Sequence, residues 1–258
     1  MKVYLVYCDG YDDVLKEEKA SILYNFMARG KSGLEPEIPS GFPAYFIDCG
    51  AYNLQQETIG EIFIKSYSFW LKWIVERHPE IDAYANLDVI GNAEETLKNQ
   101  KFLESEGLKP LPVWHAGESE EYLKSYCDKY EYVGIGGIIS SHTSVQSQAK
   151  LWNWLFQKYK NTKFHFFGIG LAGSRIFRSA RPYSVDCSSW LVPARYGRGC
   201  RLDKRGRIVS QTLDYQTRSD IRSDRDIRRE EIRKVLRVLQ GYSEEIDKVN
   251  DPYQGALL

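Results

Sequence analysis

Short apolar runs alternate with stretches of helical period along most of the chain. Residues 3–7, 44–48, 83–89, 111–115, 132–136, 164–168 and 184–186 read as strands, and an eighth strand is expected near 208–212. Between them the spacing predicts helices over 14–29, 57–77, 93–106, 119–129, 145–159 and 172–179. The 57–77 stretch sets Ile59, Ile62, Phe63, Tyr67, Trp70, Leu71 and Ile74 on one helical period. Near-continuous apolar strands separated by helices predict a parallel sheet covered on its faces. No glycine-rich nucleotide turn follows the first strand, where Tyr7-Cys8-Asp9-Gly10-Tyr11 stands. The expected fold is therefore α/β, a (β/α)8 TIM barrel in a single domain over 1–250, ahead of a doubly wound sheet. A helix at 222–240, with Ile227, Ile232, Val235, Leu236 and Leu239 on its apolar positions, is expected to close it, and 251–258 reads as a tail.

Composition narrows the class. Of the 258 residues, 43% are hydrophobic and 27% charged, enough for a real core and far from a disordered chain. No apolar run reaches the ~18 residues of a membrane span. The first residues read as a strand rather than a secretory signal. The five cysteines are scattered with no Cys-x-x-Cys pair, which argues against a disulfide scaffold and for the cytoplasm. The four histidines lack metal-ligand spacing. Lys plus Arg equals Asp plus Glu at 35 each, but the charge is uneven. Residues 1–172 carry 17 basic and 23 acidic side chains and residues 173–258 carry 18 and 12, so the formal zero divides into −6 and +6. Arg175, Arg178, Arg181, Arg195, Arg198, Arg201, Lys204, Arg205 and Arg207 are opposed only by Asp186 and Asp203. This suits a phosphate-facing surface, or a solvated, salt-bridged one. After residue 220 the charges alternate in sign, as on an amphipathic helix.

Candidate chemistry sits where the strands end. Asp48, Asp88 and Asp186 each close an apolar run, His115 closes another, and Gly134, Gly136, Gly137, Gly168 and Gly170 mark two more. In a barrel those ends meet at one mouth, and an acid in an apolar strand is costly unless paired or used. Three carboxyls there could bind Mg²⁺, perform glycosidic chemistry as nucleophile and acid/base, or accept from the N–H edge of a purine. The glycines would let a flat ring approach the backbone, and Tyr52 would stack on it. His78 reads as a helix-end cap, His142 as a loop residue and His165 as a satisfied buried histidine. Cys49 and Cys187 read as small neighbours of the acids without a redox role, and Trp152 and Trp154 as packing.

Taken in order, these motifs resemble those of the tRNA-guanine transglycosylase superfamily, most of all its short phage-type relatives that insert 7-deazaguanine bases into DNA. The resemblance covers about 44–200. Asp48-Cys49-Gly50-Ala51-Tyr52-Asn53 is similar to the family's Asp-Ser-Gly-Gly-Phe-Gln, which implies that Asp48 is the general acid/base and Tyr52 the stacking aromatic. Asp88 falls on the base-recognising aspartate. Trp114-His115-Ala116-Gly117 falls on Val-Gln-Gly-Gly, with His115 in place of the base-reading Gln. Gly136-Gly137-Ile138 and Phe167-Gly168-Ile169-Gly170 match Gly-Gly-Leu and Leu-Gly-Val-Gly. Val185-Asp186-Cys187-Ser188-Ser189-Trp190 is similar to the archaeal-type Phe-Asp-Ser-Ala-x-Tyr, which implies Asp186 as nucleophile. The bacterial pattern counts its aspartate four residues before Pro-Thr-Arg, and from Pro193-Ala194-Arg195 that count lands on Ser189. Asp186 is preferred because it is an acid closing a strand. The family's zinc-binding cysteines are absent, so no metal and no cofactor is implied, and the zinc subdomain is missing.

The resemblance implies a pentosyltransferase that exchanges guanine in DNA for a free 7-deazaguanine base such as preQ0 through a covalent Asp–deoxyribose intermediate. Arg175, Arg178, Arg195 and Arg198 would hold phosphates. It implies a cytoplasmic protein, in the host cell if phage-encoded, without membrane partners. A minimal tRNA-exchanging enzyme and a non-catalytic nucleic-acid-binding barrel are the alternatives. A generic Mg²⁺-dependent barrel enzyme is a third. The oligomeric state stays open between a monomer, a homodimer and a complex with a partner subunit.

Overall fold

The computed structural model describes residues 1–28, 37–51, 60–142, 144–169, 182–204 and 208–249. Strands and helices alternate: β1 (Lys2–Val6), α1 (Asp12–Glu17), β2 (Ser21–Asn25), β3 (Tyr45–Asp48), α2 (Glu61–Arg77), β4 (Ile81–Tyr84), α3 (Ala93–Ser105), β5 (Val113–His115), α4 (Glu120–Lys129), β6 (Tyr132–Gly136), α5 (Ile138–Ser141), α6 (Val145–Lys158), β7 (Lys163–Phe166) and β8 (Ser184–Cys187). These eight strands form one sheet in the order β4-β3-β2-β1-β8-β7-β6-β5, every neighbouring pair parallel. Apart from β4 and β5, which stand at the two ends of that order, chain neighbours are sheet neighbours, and β1 lies beside β8, an order that a doubly wound sheet does not have.

The sheet is strongly curled. Phe46 of β3 stacks on His165 of β7 at 4.2 Å between ring centres, although β2, β1 and β8 lie between those strands. Tyr4 of β1 donates its hydroxyl to Asp82 of β4 at 2.7 Å. Tyr4, Leu23, Phe46, Ala85, Leu111 and Val113 fill the concave side. Between β4 and β5 the ladder is reduced to one isolated parallel bridge, Ala85 with Leu111. The described architecture is thus an eight-stranded parallel curled sheet flanked by helices, TIM-like, without a continuous ladder around the ring. The larger apolar cluster lies between the convex side and the helices, with Leu71, Leu103, Leu123, Trp152 and Leu155 fully buried.

Past β8 come α7 (Val192–Tyr196), β9 (Arg198–Leu202), β10 (Ile208–Thr212), α8 (Tyr215–Ser223) and α9 (Arg225–Val249). Three expected elements are corrected here. The stretch 14–29 is not one helix: α1 ends at Glu17, Lys19 turns the chain at φ 49°, and Ser21–Asn25 is a central strand. Residues 208–212 form a strand, but one paired antiparallel with β9 in a separate hairpin, so β2 and not β10 is the eighth strand of the main sheet. The strand expected over 83–89 ends at Tyr84, and Leu87–Val89 is loop. Ile62 is 87% exposed on α2 and Ile227 is 38% exposed on α9, whereas Tyr67, Trp70, Leu71, Ile74, Ile232, Val235, Leu236 and Leu239 are buried as the periodicity requires. The helix expected at 172–179 and the tail at 251–258 lie outside the described residues. No helix among the described residues is long and apolar enough to cross a membrane.

Candidate functional site

The carboxyl ends of the parallel strands bring the singled-out residues to one side of the sheet. Asp48 is the last residue of β3. Its Oδ2 accepts from Asn25 Nδ2, at the end of β2, and from the Gly50 N–H, both at 3.2 Å. Gly50 turns at φ 83°, and a Cβ there would lie 2.4 Å from Asn25 Oδ1, so the close approach of β2 to this turn needs glycine. Asp48 keeps some surface open but is surrounded by protein. Burial, then the negative charges of Asp88 and Asp186, push its pKa up to about 7 against the pull of the Gly50 and Cys49 N–H groups. Cys49, the next residue, reaches Asp88 with its thiol, so Asp88 stands beside the turn that carries Asp48.

Asp88 lies in the loop after β4. That loop is pinned from α3: Thr96 Oγ1 accepts from the Val89 N–H at 2.9 Å, Asn99 Nδ2 donates to the Leu87 carbonyl at 2.9 Å, and Asn86 Nδ2 donates to the Thr96 carbonyl at 2.8 Å. Asp88 is buried. The Cys49 thiol donates to its Oδ1 at 2.9 Å, and His115 Nε2 lies 2.9 Å from its Oδ2. His115, at the end of β5, is also held on its other side: Nδ1 lies 3.3 Å from Glu118 Oε1, and its backbone N–H donates to Glu118 Oε2 at 3.0 Å. Burial alone disfavours the imidazolium, but the two carboxylates outweigh it and raise the pKa to about 9. His115 is therefore a cation clamped between two anions at neutral pH. Gly136 makes room for it, since a Cβ there would come within 2.7 Å of His115 Cδ2. The space above Gly136, expected to admit a ligand ring, is thus taken by the imidazole. Gly137 opens α5 at φ 67°.

Asp186 is the third residue of β8 and is buried. Its Oδ1 accepts from the Gly168 N–H at 2.7 Å, at the end of β7. His165 Nε2 lies 3.5 Å from the same oxygen, too far for a well-made hydrogen bond, while its Nδ1 is 2.7 Å from Ser184 Oγ. His165 is fully buried and its pKa is lowered, chiefly by that burial, so it stands neutral behind Asp186. Among the described residues, no hydrogen bond engages Asp186 Oδ2. Burial raises the thiols of Cys49 and Cys187, the latter to about 11, which leaves both as thiols.

Asp48, Asp88, His115, Gly136, Gly137, Gly168 and Asp186 thus gather on one side of the sheet. Arg195 and Arg198 lie exposed on α7 and β9. Tyr52, Arg175 and Arg178 lie outside the described residues. His78 closes α2 with its N–H on the Ile74 carbonyl, His142 closes α5, and Trp152 is buried packing. Glu118, Asn25, His165 and the Cys49 thiol are partners that sequence reasoning did not place in the site. Among the described residues no group of three His, Cys, Asp or Glu side chains is arranged to hold a metal ion.

Chemically, the cluster offers one carboxyl divided between acid and base forms at neutral pH, one carboxylate with an oxygen that no described residue engages, and a fixed Asp–imidazolium pair. The sequence matches no model of a known protein family and no curated protein.

Proposed function

We propose that the protein is a base-exchanging transglycosylase that removes guanine from a nucleic acid, DNA first, and installs a 7-deazaguanine base. The reading is carried by one observation: the Asp48, Asp88 and Asp186 carboxyls gather at the carboxyl ends of the parallel strands, held by Asn25 and Gly50, by Cys49 and by Gly168, and burial with the neighbouring charges raises Asp48 to about 7. A group at that pKa serves as acid and then base at neutral pH. Asp186 Oδ2 attacks C1′, and the C1′–N9 bond breaks with its electrons passing to guanine. Asp48 protonates the departing base. The incoming 7-deazaguanine gives its ring proton back to Asp48 and attacks C1′, and the ester bond breaks to restore the Asp186 carboxylate. Each Asp88 oxygen keeps a second lone pair beyond its bonds to Cys49 and His115, so the base edge can bind there. The guanine must be unpaired or flipped out to reach these groups. We read the curled sheet as a (β/α)8 barrel whose last seam is the Ala85–Leu111 bridge, in a cytoplasmic enzyme.

The test is exchange of labelled guanine with DNA and tRNA offered side by side. Asp186→Asn is expected to lower exchange at least a thousandfold (~4 kcal/mol of barrier) and to form no sugar–protein adduct. Exchange into tRNA alone corrects the substrate, and an adduct on Asp48 reverses the two roles. Near wild-type exchange by Asp186→Asn excludes it as nucleophile. Binding of nucleic acid with no exchange at all leaves a non-catalytic barrel.

A further inference from the structure

Away from the carboxyl cluster, one face of α8 is built from Tyr215, Arg218, Ser219, Arg222 and Ser223, spaced i, i+3, i+4, i+7 and i+8, and these residues line an open cleft of about 470 Å³. No acid is among them. The nearby Asp214 is occupied as the N-cap, accepting from the Thr217 N–H at 2.9 Å and hydroxyl at 2.6 Å, and Asp220 accepts from Gln216 Nε2 at 2.7 Å. The helix is held at its other end too. Ile221 is buried, and the Arg228 guanidinium donates to the carbonyls of Ile221 and Arg222 at 2.7 and 2.8 Å.

Within the cleft, Arg218 lays its stem on Gly197, where a Cβ would meet its Cγ at 2.8 Å. Its Nε is buried and has no hydrogen-bond partner among the described residues. Gly197 closes α7, so the face continues into Arg195, Tyr196 and Arg198, all exposed. Trp190, in the turn that leads directly into α7, donates its Nε1–H to the Val6 carbonyl at 3.0 Å, at the carboxyl end of β1. The basic strip therefore begins at the side of the sheet that carries Asp48 and Asp186.

Guanidiniums, hydroxyls and a tyrosine ring 80% exposed suit one ligand chemistry best: phosphodiester oxygens with unpaired bases between them. An anionic membrane would use the same cations but needs apolar side chains to insert. Around this face the exposed large side chains are Tyr196, Tyr215 and Ile227, with no aliphatic cluster. We propose that Tyr215, Arg218 and Arg222, with Tyr196 and Arg198, form a docking strip for the phosphate backbone of a single DNA strand flanking the nucleotide at the strand ends. This rests on the reading above for where the strand leads, but not for the binding itself.

Fluorescein-labelled oligothymidine, which holds no guanine to exchange, is the probe, read by anisotropy with the full chain over a range of KCl. Tyr215→Ala with Arg222→Gln changes two exposed positions. It is expected to weaken binding at least tenfold at about 100 mM salt and to flatten the slope of log K against log salt by about 0.7 for the lost arginine. Circular dichroism and melting are expected to stay those of the wild type. The charge-matched control Lys98→Gln is expected to bind as the wild type does. Unchanged binding by the Tyr215/Arg222 variant, or an equal loss in the control, overturns the strip. So does loss of phosphatidylserine-vesicle binding with oligothymidine binding intact. Guanine exchange run in parallel separates the two proposals: strip-dependent binding without exchange overturns the reaction alone, and exchange with strip-independent binding overturns the strip alone.

Discussion

The charges of Asp88 and Asp186 fall on Asp48, which already gives up solvation by its position at the end of β3. Removing one neighbouring charge should therefore release it. In Asp186→Asn the Asp48 carboxyl, followed by carbon-13 NMR, is expected to titrate clearly below 7, and an unmoved midpoint contradicts the coupling. A second residue-scale prediction concerns His115, whose cationic form Glu118 and Asp88 share. Glu118→Gln keeps a hydrogen-bonding side chain but removes one anion, so the imidazole midpoint is expected to fall from about 9 by one unit or more. The sign for stability follows. Because the folded value is raised, the clamp's contribution is fully present below the unfolded value of about 6.5 and is lost as pH rises through about 9. Urea melts of His115→Gln should lack that decline. The acids were legible because each closes an apolar run where a charge is costly. Glu118 was not, since Glu118, Glu120 and Glu121 all cluster at a helix start where acids are common, and nothing in the sequence says that the first folds back onto His115.

At the scale of elements, β2 is the instructive failure. Ser21–Asn25 follows α1 with no glycine or proline between them, and the turn is made by Lys19 in a left-handed conformation that sequence does not announce. Missing that strand also hid Asn25 as the partner of Asp48. The other strand ends, the 83–89 run apart, were readable to within two residues, because the buried strands of a parallel sheet are short apolar runs. The alternating charges after residue 220 resolve into α9, whose Arg229, Arg233 and Arg237 bind Asp13, Glu17 and Glu18 at the first turn and the end of α1. The first of these is not equivalent to a surface pair. Arg229 is only 6% exposed, and it donates to Asp13 at 2.9 Å and to the Gly10 carbonyl at 2.8 Å. Arg229→Ala leaves that carbonyl and the Asp13 carboxylate without the guanidinium, and is expected to cost about 2–3 kcal/mol by urea denaturation at pH 7. Lys124→Ala, which breaks an exposed i,i+4 pair with Asp128, should leave the urea midpoint where it is in the wild type. Equal effects would mean that α9 is not anchored through Arg229.

For the whole molecule, the excess of positive charge after residue 172 overstates the basic surface. Arg228 and Arg229 are turned to carbonyls and an acid inside the fold and Arg233 and Arg237 are paired with Glu17 and Glu18, while Arg195, Arg198, Arg218 and Arg222 are among the cations left for the strip beside the sheet. A formal zero thus becomes a polar arrangement, with acids gathered at the strand ends and arginines beside them, and only the coordinates could sort one set of arginines from the other. The two halves should respond differently to salt. Exposed cations that neutralise phosphates lose affinity steeply as counterions compete, whereas buried or part-buried charges are screened much less. Raising KCl from about 50 to 200 mM is therefore expected to raise the KM for a DNA substrate by about tenfold or more, with kcat and the Asp48 midpoint near 7 both holding within about twofold and half a unit. Steady-state exchange kinetics across that range, beside the carboxyl titration at both ends of it, measure this. A kcat that falls together with kcat/KM would place the salt-sensitive charges in the chemical step itself, and a KM indifferent to salt would remove the arginine strip from the path of the substrate.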